Sequence, residues 1–213
     1  MIRVLLAEDH ELVRIGIKRI LETAADIEVV AEAESGEDAL DKARLHRPDV
    51  VLMDVHMPGM GGIEATRRIT RALPDTNVIA LTVLDEDPFP AQLREAGAKG
   101  YLTKGCPAEE MFEAIRAVFK GSCYVAANVA KKHMLADLEG RADSPLARLS
   151  ARELQILMMI LDGQRGQDIS DTLSLSPKTI STYRQRIYEK LGVDSDVELT
   201  KFAYRQGLLS DEL

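Results

Sequence analysis

Four times in the first half of the chain, an apolar run ends on a side chain that could do chemistry. VLLA ends in Glu8-Asp9, VVLM in Asp54, VIAL in Thr82 and GYLT in Lys104. If these ends meet, three carboxylates, a hydroxyl and an ammonium share one edge. Clustered carboxylates repel one another unless a cation sits among them. Hard oxygen donors on an open site suit Mg2+, which keeps several waters and is commonly completed by phosphate oxygens. An adjacent lysine and hydroxyl could hold two further phosphoryl oxygens. The set fits phosphoryl transfer, where positioning and charge neutralisation do most of the catalysis. Asp54 stands between metal and lysine and is the natural nucleophile, giving an aspartyl-phosphate. Each residue alone has an ordinary reading: Asp9 could cap a helix, Glu8 could be solvated, Thr82 suits a strand and Lys104 suits a surface. The combination carries the argument.

The elements that must position these groups follow from periodicity. Short apolar runs at Val4–Ala7, Val29–Ala33, Val50–Met53, Val78–Thr82 and Gly100–Thr103 read as strands. Helical-period stretches lie between them near Leu12–Glu22, Glu37–Leu45, Ile63–Leu73 and Ala91–Glu95, and a last helix is expected at Ala108–Phe119. Five such βα repeats imply a parallel sheet buried on both faces. In an open parallel sheet, ligands bind outside the carboxyl ends of the strands, where the strand order reverses. The reactive residues fall at those ends. Ser35 is placed to cap the second helix, and Pro48 to stop it.

After Gly121 the strand pattern stops. Residues 1–123 form the first domain, and residues 124–147 read as a linker, with one helix near Asn128–Leu138 and a turn at Asp143-Ser144-Pro145. Residues 148–213 read as an all-helical domain. Ser150-Ala-Arg-Glu153 is a capping box opening Ala151–Leu161, Gln167–Leu173 is a short helix, and Ser176-Pro177 opens a third helix to Leu191. Ser195-Asp-Val-Glu198 starts the fourth, which runs to about Arg205.

The stretch QDISDTLSLSPKTISTYRQRIYEKL sets a short helix, a tight turn and a longer capped helix in the order of a helix-turn-helix. Ile180, Ile187 and Leu191 share one face of the longer helix, while Lys178, Ser181, Thr182, Gln185 and Arg186 fall on others. Small polar and amide side chains can read base edges in a major groove. Lys178, Arg184 and Arg186 would anchor phosphates, and the Thr179 backbone N–H and hydroxyl lie at the positive helix end.

The formal charge of −8 argues against nucleic acid only as a sum. Residues 1–123 hold 15 Lys/Arg against 22 Asp/Glu, whereas residues 148–213 hold 9 against 10, so the helical domain could still present one basic face. No apolar run approaches the roughly 18 residues of a membrane span. The N-terminus shows no signal-peptide pattern, and a cytoplasmic protein is expected. Cys106 and Cys123 are too few for a disulfide framework and are read as reduced thiols.

Two other function classes stay open on these residues. A Mg2+-dependent phosphatase of the haloacid dehalogenase type also forms an aspartyl-phosphate after a strand, but needs a second acid two residues on, where this chain has His56. The near-neutral helical domain could instead bind protein or RNA.

The acidic constellation resembles the receiver domain of two-component response regulators over residues 1–120. The segment LSARELQILMMILDGQ with DISDTLSLSPKTISTYRQRIYEKLGV resembles the LuxR-type domain of the NarL/FixJ family. SPKTISTYRQRIYEKL, DPFP at Asp87–Pro90 and VELT at Val197–Thr200 look most like the GacA/UvrY branch. The resemblance implies a flavodoxin-like, doubly wound, five-stranded α/β receiver followed by a small all-α helix-turn-helix domain. It implies a phosphoryl acceptor, not a turnover enzyme: Asp54 takes its phosphoryl group from a phosphohistidine of a sensor histidine kinase. Mg2+ would be held by Asp54, by Asp9 directly, by Glu8 through water and by the backbone carbonyl of His56. Thr82 and Lys104 match the phosphate-sensing pair, and Tyr101 matches the aromatic switch residue that turns inward. Ser181, Thr182 and Gln185 match the base-reading face, and Ser195–Arg205 matches the dimer-forming helix. Phosphorylation would favour a homodimer on double-stranded promoter DNA. The branch implies a hybrid kinase of the GacS/BarA kind and control of genes for small regulatory RNAs. The chain departs from the pattern at Glu8, where most receivers carry Asp, at Gly105, where proline often follows the lysine, and at Arg184, where an apolar residue is common.

Overall fold

The computed structural model describes residues 1–82, 89–126, 129–130, 145–161, 163–206 and 208. The helix expected near Asn128–Leu138 falls almost entirely outside them, as do Asp143 and Ser144 of the expected turn. Two compact units emerge, one carrying every strand and the other carrying the helices after residue 145.

The first unit is a parallel sheet of β1 (Ile2–Ala7), β2 (Ile27–Ala33), β3 (Val50–Asp54), β4 (Asn77–Thr82), β5 (Gly100–Thr103) and β6 (Tyr124–Val125). Its spatial order is β2-β1-β3-β4-β5-β6, so the chain reverses direction across the sheet between β1 and β3. Among the described residues, five helices connect or flank the strands: α1 (Glu11–Leu21), α2 (Gly36–His46), α3 (Gly62–Ala72), α4 (Phe89–Glu95) and α5 (Ala108–Phe119). Every residue of β3 is buried, because helices cover both faces of a central parallel strand. Leu5, Val51, Met53, Ile69 and Val78 pack into one continuous core beside α2 and α3. Ser35 caps α2 by accepting the Asp38 N–H at 3.2 Å, and Arg47 closes that helix in the left-handed region, at φ 46°, before Pro48.

The sheet has six strands where the sequence pattern predicts five. Tyr124-Val125, assigned above to the linker, adds to the free edge of β5: Tyr124 N–H donates to Lys99 O at 2.9 Å and Ala126 N–H to Tyr101 O at 3.1 Å. Two residues are too few to show alternation, and it is the open edge that recruits them.

Register brings the strand ends together. Ala7 stands opposite Met53, Asp54 opposite Leu81, and Thr82 opposite Thr103. The residues that follow β1 and β5, with the last residues of β3 and β4, therefore share one rim of the sheet.

The second unit holds a short 3-10 turn (Pro145–Arg148), then α6 (Ala151–Leu161), α7 (Gly166–Thr172), α8 (Pro177–Leu191) and α9 (Asp196–Arg205). The expected capping box closes α6: Ser150 N–H donates to Glu153 Oε2 at 2.7 Å and Glu153 N–H to Ser150 Oγ at 3.3 Å. Lys190 Nζ, 2.6 Å from the same carboxylate oxygen, ties α8 to α6. Hydrogen bonds from Lys190 and Ser150 hold the Glu153 carboxyl below the usual carboxylate range, against the opposing effect of burial. Leu154, Leu157, Ile169, Ile180, Ile187 and Leu199 fill the centre. Among the described residues no helix is long and apolar enough to cross a membrane.

Candidate functional site

Asp54 ends β3 as a fully buried carboxylate. Its Oδ1 accepts the His56 backbone N–H at 3.0 Å and its Oδ2 accepts Lys104 Nζ at 2.9 Å. The loop that follows is tight enough to demand glycine. A Cβ on Gly62, the first residue of α3, would lie 1.9 Å from the Asp54 carbonyl oxygen, and Gly61 before it takes φ +74°. The PGMGG run therefore turns the chain within contact distance of the acid's own backbone.

Glu8, also fully buried, follows β1 and directs Oε2 to within 2.6 Å of Lys104 Nζ. This contact is an ion pair without the alignment of a good hydrogen bond. Asp9, about a quarter exposed, faces the opening. His10 joins the group: its Nδ1 lies 3.2 Å from Glu8 Oε1 and 3.0 Å from Asp9 Oδ1. One donor atom from each of Glu8, Asp9, His10 and Asp54 falls within a 4.8 Å cluster. The sequence pattern identified the three acids but missed His10, whose position next to Asp9 was the available signal.

Electrostatics at this rim are unbalanced. Burial pushes the Asp54 carboxyl up to about 7; the Glu8 charge adds to the rise, while Lys104 and the His56 N–H oppose it. Burial alone would lower the Lys104 ammonium, but Asp54 and Glu8 outweigh it and raise its pKa above the ordinary lysine value. Burial and the neighbouring Lys104 press the His56 imidazole down to about 4, against the pull of Asp9, so the ring is neutral near pH 7. That ring is half-buried two residues beyond Asp54, where a haloacid dehalogenase-type phosphatase would need its second acid.

Three carboxylates facing one ammonium are a donor set for a hard divalent cation. Asp9 Oδ1 is buried without a well-aligned donor, as a ligand-ready oxygen would be. The residues present therefore fit Mg2+. Thr82 ends β4 fully buried on the same rim, and Lys104 N–H donates to its carbonyl at 2.7 Å. Tyr101 lies in β5, one strand over from Thr82, with 4% of its surface exposed.

In the second unit, α8 presents Lys178, Ser181, Thr182, Gln185 and Arg186 to solvent while Ile180, Ile187 and Leu191 are buried, as the helical period requires. A shallow concavity is lined by Ser176, Lys178, Thr179, Thr182, Tyr183 and Arg186. It gathers four of the seven expected contact residues and adds Tyr183, which the sequence reading passed over. Ser181 and Thr182 turn their hydroxyl hydrogens back to the carbonyls of Pro177 and Lys178, at 3.1 and 3.0 Å, leaving their oxygens outward as acceptors. Gln185 Nε2 donates to Glu189 Oε1 at 3.2 Å.

Two residues differ from expectation. The Thr179 N–H, read as a phosphate donor, is taken by the Ser176 cap at 3.1 Å, since an N-cap satisfies this group first. Arg184 turns away from the exposed row. Its guanidinium donates to the Asp196 carboxylate at the start of α9 and, at 3.4 Å, to the Tyr188 hydroxyl, which also bonds Asp196. Where an apolar residue is common, this chain joins α8 to α9 by a charged clasp.

Comparison with known proteins agrees with both units. Residues 4–116 match the response regulator receiver domain family, and residues 147–203 match the luxR family of bacterial regulatory proteins. The response regulator GacA of Pseudomonas protegens is 53% identical over 213 residues, spanning 100% of both chains. The response regulator UvrY of Escherichia coli is 51% identical over 213 residues, covering 100% of this chain and 98% of that one. Among solved structures, RcsB from Salmonella enterica serovar Typhimurium, bound to a promoter in the presence of the phosphomimetic BeF3-, is 26% identical with a TM-score of 0.71, covering 94% of this chain and 97% of that one. The chain belongs to the response regulators that join a receiver domain to a LuxR-type DNA-binding domain.

Proposed function

We propose that Asp54 is the phosphoryl acceptor of this response regulator and that its phosphorylation favours a homodimer bound to promoter DNA through α8. The observation that carries this is the convergence of Asp54, Glu8, Asp9 and Lys104 on one rim at the β1/β3 reversal. In the transfer, an Asp54 carboxylate oxygen forms a bond to phosphorus as the P–N bond of a kinase phosphohistidine breaks. The imidazole leaves with the electron pair. Glu8, Asp9, Asp54 and the His56 carbonyl would hold Mg2+, which when bound supplies neutralising charge to the transferred oxygens. Lys104 and Thr82 would then grip the phosphoryl oxygens, and Tyr101, already buried beside them in the sheet, would be held in its inward position. This biases a two-state surface rather than deforming it continuously.

The receiver is assigned to residues 1–123 and the DNA-binding domain to residues 148–213, with residues 124–147 as linker apart from the β6 pair. On DNA, Lys178, Arg186 and the Thr179 hydroxyl meet phosphates while Ser181, Thr182 and Gln185 face base edges. Arg184 acts mainly through its clasp with Asp196. The likeness to the response regulators GacA and UvrY supports a sensor kinase as donor, which we take to be a hybrid one acting on this chain in the cytoplasm. Footprinting of promoter DNA with and without acetyl phosphate tests the proposal. Protection should strengthen on phosphorylation in the wild type and stay at its basal level in Asp54→Asn.

A further inference from the structure

Arg14 sits on α1, outside the phosphoryl chemistry, yet only 8% of its surface is exposed. Charged side chains are seldom buried so fully unless paired, and Arg14 is paired on three sides. Nη1 donates to the backbone carbonyl of Glu8 at 2.8 Å, Nη2 donates to Glu34 Oε1 at 2.7 Å, and Nε lies 3.6 Å from Glu32 Oε2. The other Glu32 oxygen takes Lys18 Nζ at 2.5 Å. Glu34 is 70% exposed, so the outer end of this network reaches solvent while its inner end reaches the acidic pair.

The peptide that Arg14 holds is the one joining Glu8 to Asp9. Ladder pairing of β1 with both neighbours ends at Ala7, and the last sheet-like bond is Glu8 N–H to Ala33 O at 2.9 Å. The Glu8 carbonyl is therefore past the end of the sheet, where rotation of the peptide would redirect both acids. Arg14 supplies the donor that the ladder no longer provides. With that plane fixed, Glu8 turns inward to Lys104 while Asp9 faces the opening. A lysine could keep the charge but not span two acceptors with a rigid fork.

We propose that Arg14 is a positioning residue for the divalent-cation site, acting through the Glu8–Asp9 peptide and braced by Glu34. The proposal rests on the reading of Glu8, Asp9 and Asp54 as a Mg2+ site. Outer partners of metal ligands commonly change affinity by roughly 10- to 100-fold when removed. Titration calorimetry of the full chain with MgCl2, paired with thermal midpoints in chelator, tests it. Arg14→Met should weaken Mg2+ binding roughly tenfold, Arg14→Lys should fall between it and the wild type, and Glu34→Gln should weaken binding roughly threefold. Glu34 is exposed, so its variant folds even if Arg14→Met does not. Wild-type Mg2+ affinity in Arg14→Lys and Glu34→Gln, whatever their thermal midpoints, overturns the proposal. Asp9→Asn serves as the control: if it binds Mg2+ as the wild type does, the acidic-site reading itself fails. If it loses binding while the Arg14 and Glu34 variants keep theirs, only the Arg14 inference fails.

Discussion

Lys104 Nζ lies 2.6 Å from Glu8 Oε2, nearer than the 2.9 Å that separates it from Asp54 Oδ2. The extra methylene of Glu8, relative to the Asp that most receivers carry, is what reaches the ammonium. A cation drawing on Glu8 must therefore compete with Lys104 for the same carboxylate. Glu8→Asp shortens the arm by about 1.5 Å, breaking the pair while keeping the charge. Mg2+ affinity should then rise several-fold, whereas Glu8→Gln, which removes the charge, should lower it. Shifts of the same sign in both variants would contradict this competition.

The Asp54 carboxyl, pushed up to about 7 from an ordinary value of 3.8, ties stability to pH. A raised carboxyl pKa means that the folded chain holds the proton more tightly than the unfolded one. Its stabilising contribution is full below the unfolded pKa and is lost as pH rises through about 7. Asp54→Asn removes the buried charge. In chelator at pH 8 that variant should be more stable than the wild type by on the order of 2 kcal/mol, and the gap should close toward pH 4. Thermal unfolding across this range checks the sign, and a gap that widens on acidification would refute it.

His56 is held neutral by burial and by Lys104, with its pKa near 4. Its ring resonances should stay flat between pH 8 and pH 5.5 in NMR spectra. A His56 midpoint close to 6.5 would show that the imidazole is not desolvated as the structure places it.

On α8, exposed cations and tethered ones should behave differently. Lys178→Ala should weaken DNA binding evenly across sequences and reduce the salt slope by about one. Gln185→Ala should relax preference at one base position, costing about 1–3 kcal/mol there. Arg184→Ala should mainly lower thermal stability, because it removes the charged partner of Asp196 and leaves only the Tyr188 hydroxyl on that carboxylate. Gel-shift titrations at two salt concentrations separate these outcomes. A salt-slope change in Arg184→Ala equal to that of Lys178→Ala would place Arg184 on the phosphates after all.

Much of the site was legible because parallel strands are continuous apolar runs and their carboxyl ends announce the rim. Asp54, Thr82 and Lys104 were found that way, and α5 and α6 match their expected limits. Other features depend on long-range contact. β6 exists because β5 leaves an edge open, a fact about the sheet rather than about Tyr124-Val125. Arg184 carries no local mark of its bond to Asp196, which lies across the turn between α8 and α9. Arg14 carries no local mark of its burial, which depends on where Glu32 and Glu34 stand at the end of β2. His56 needed the packing around it to be recognised as a neutral ring.

The central claim is that Asp54 couples phosphorylation to DNA binding. Its most direct test is operator affinity of the wild type and of Asp54→Asn, each with and without acetyl phosphate and Mg2+. The donor should tighten wild-type binding roughly tenfold or more, an allosteric coupling above about 1.4 kcal/mol, and leave Asp54→Asn unchanged. Equal tightening in both proteins would contradict it.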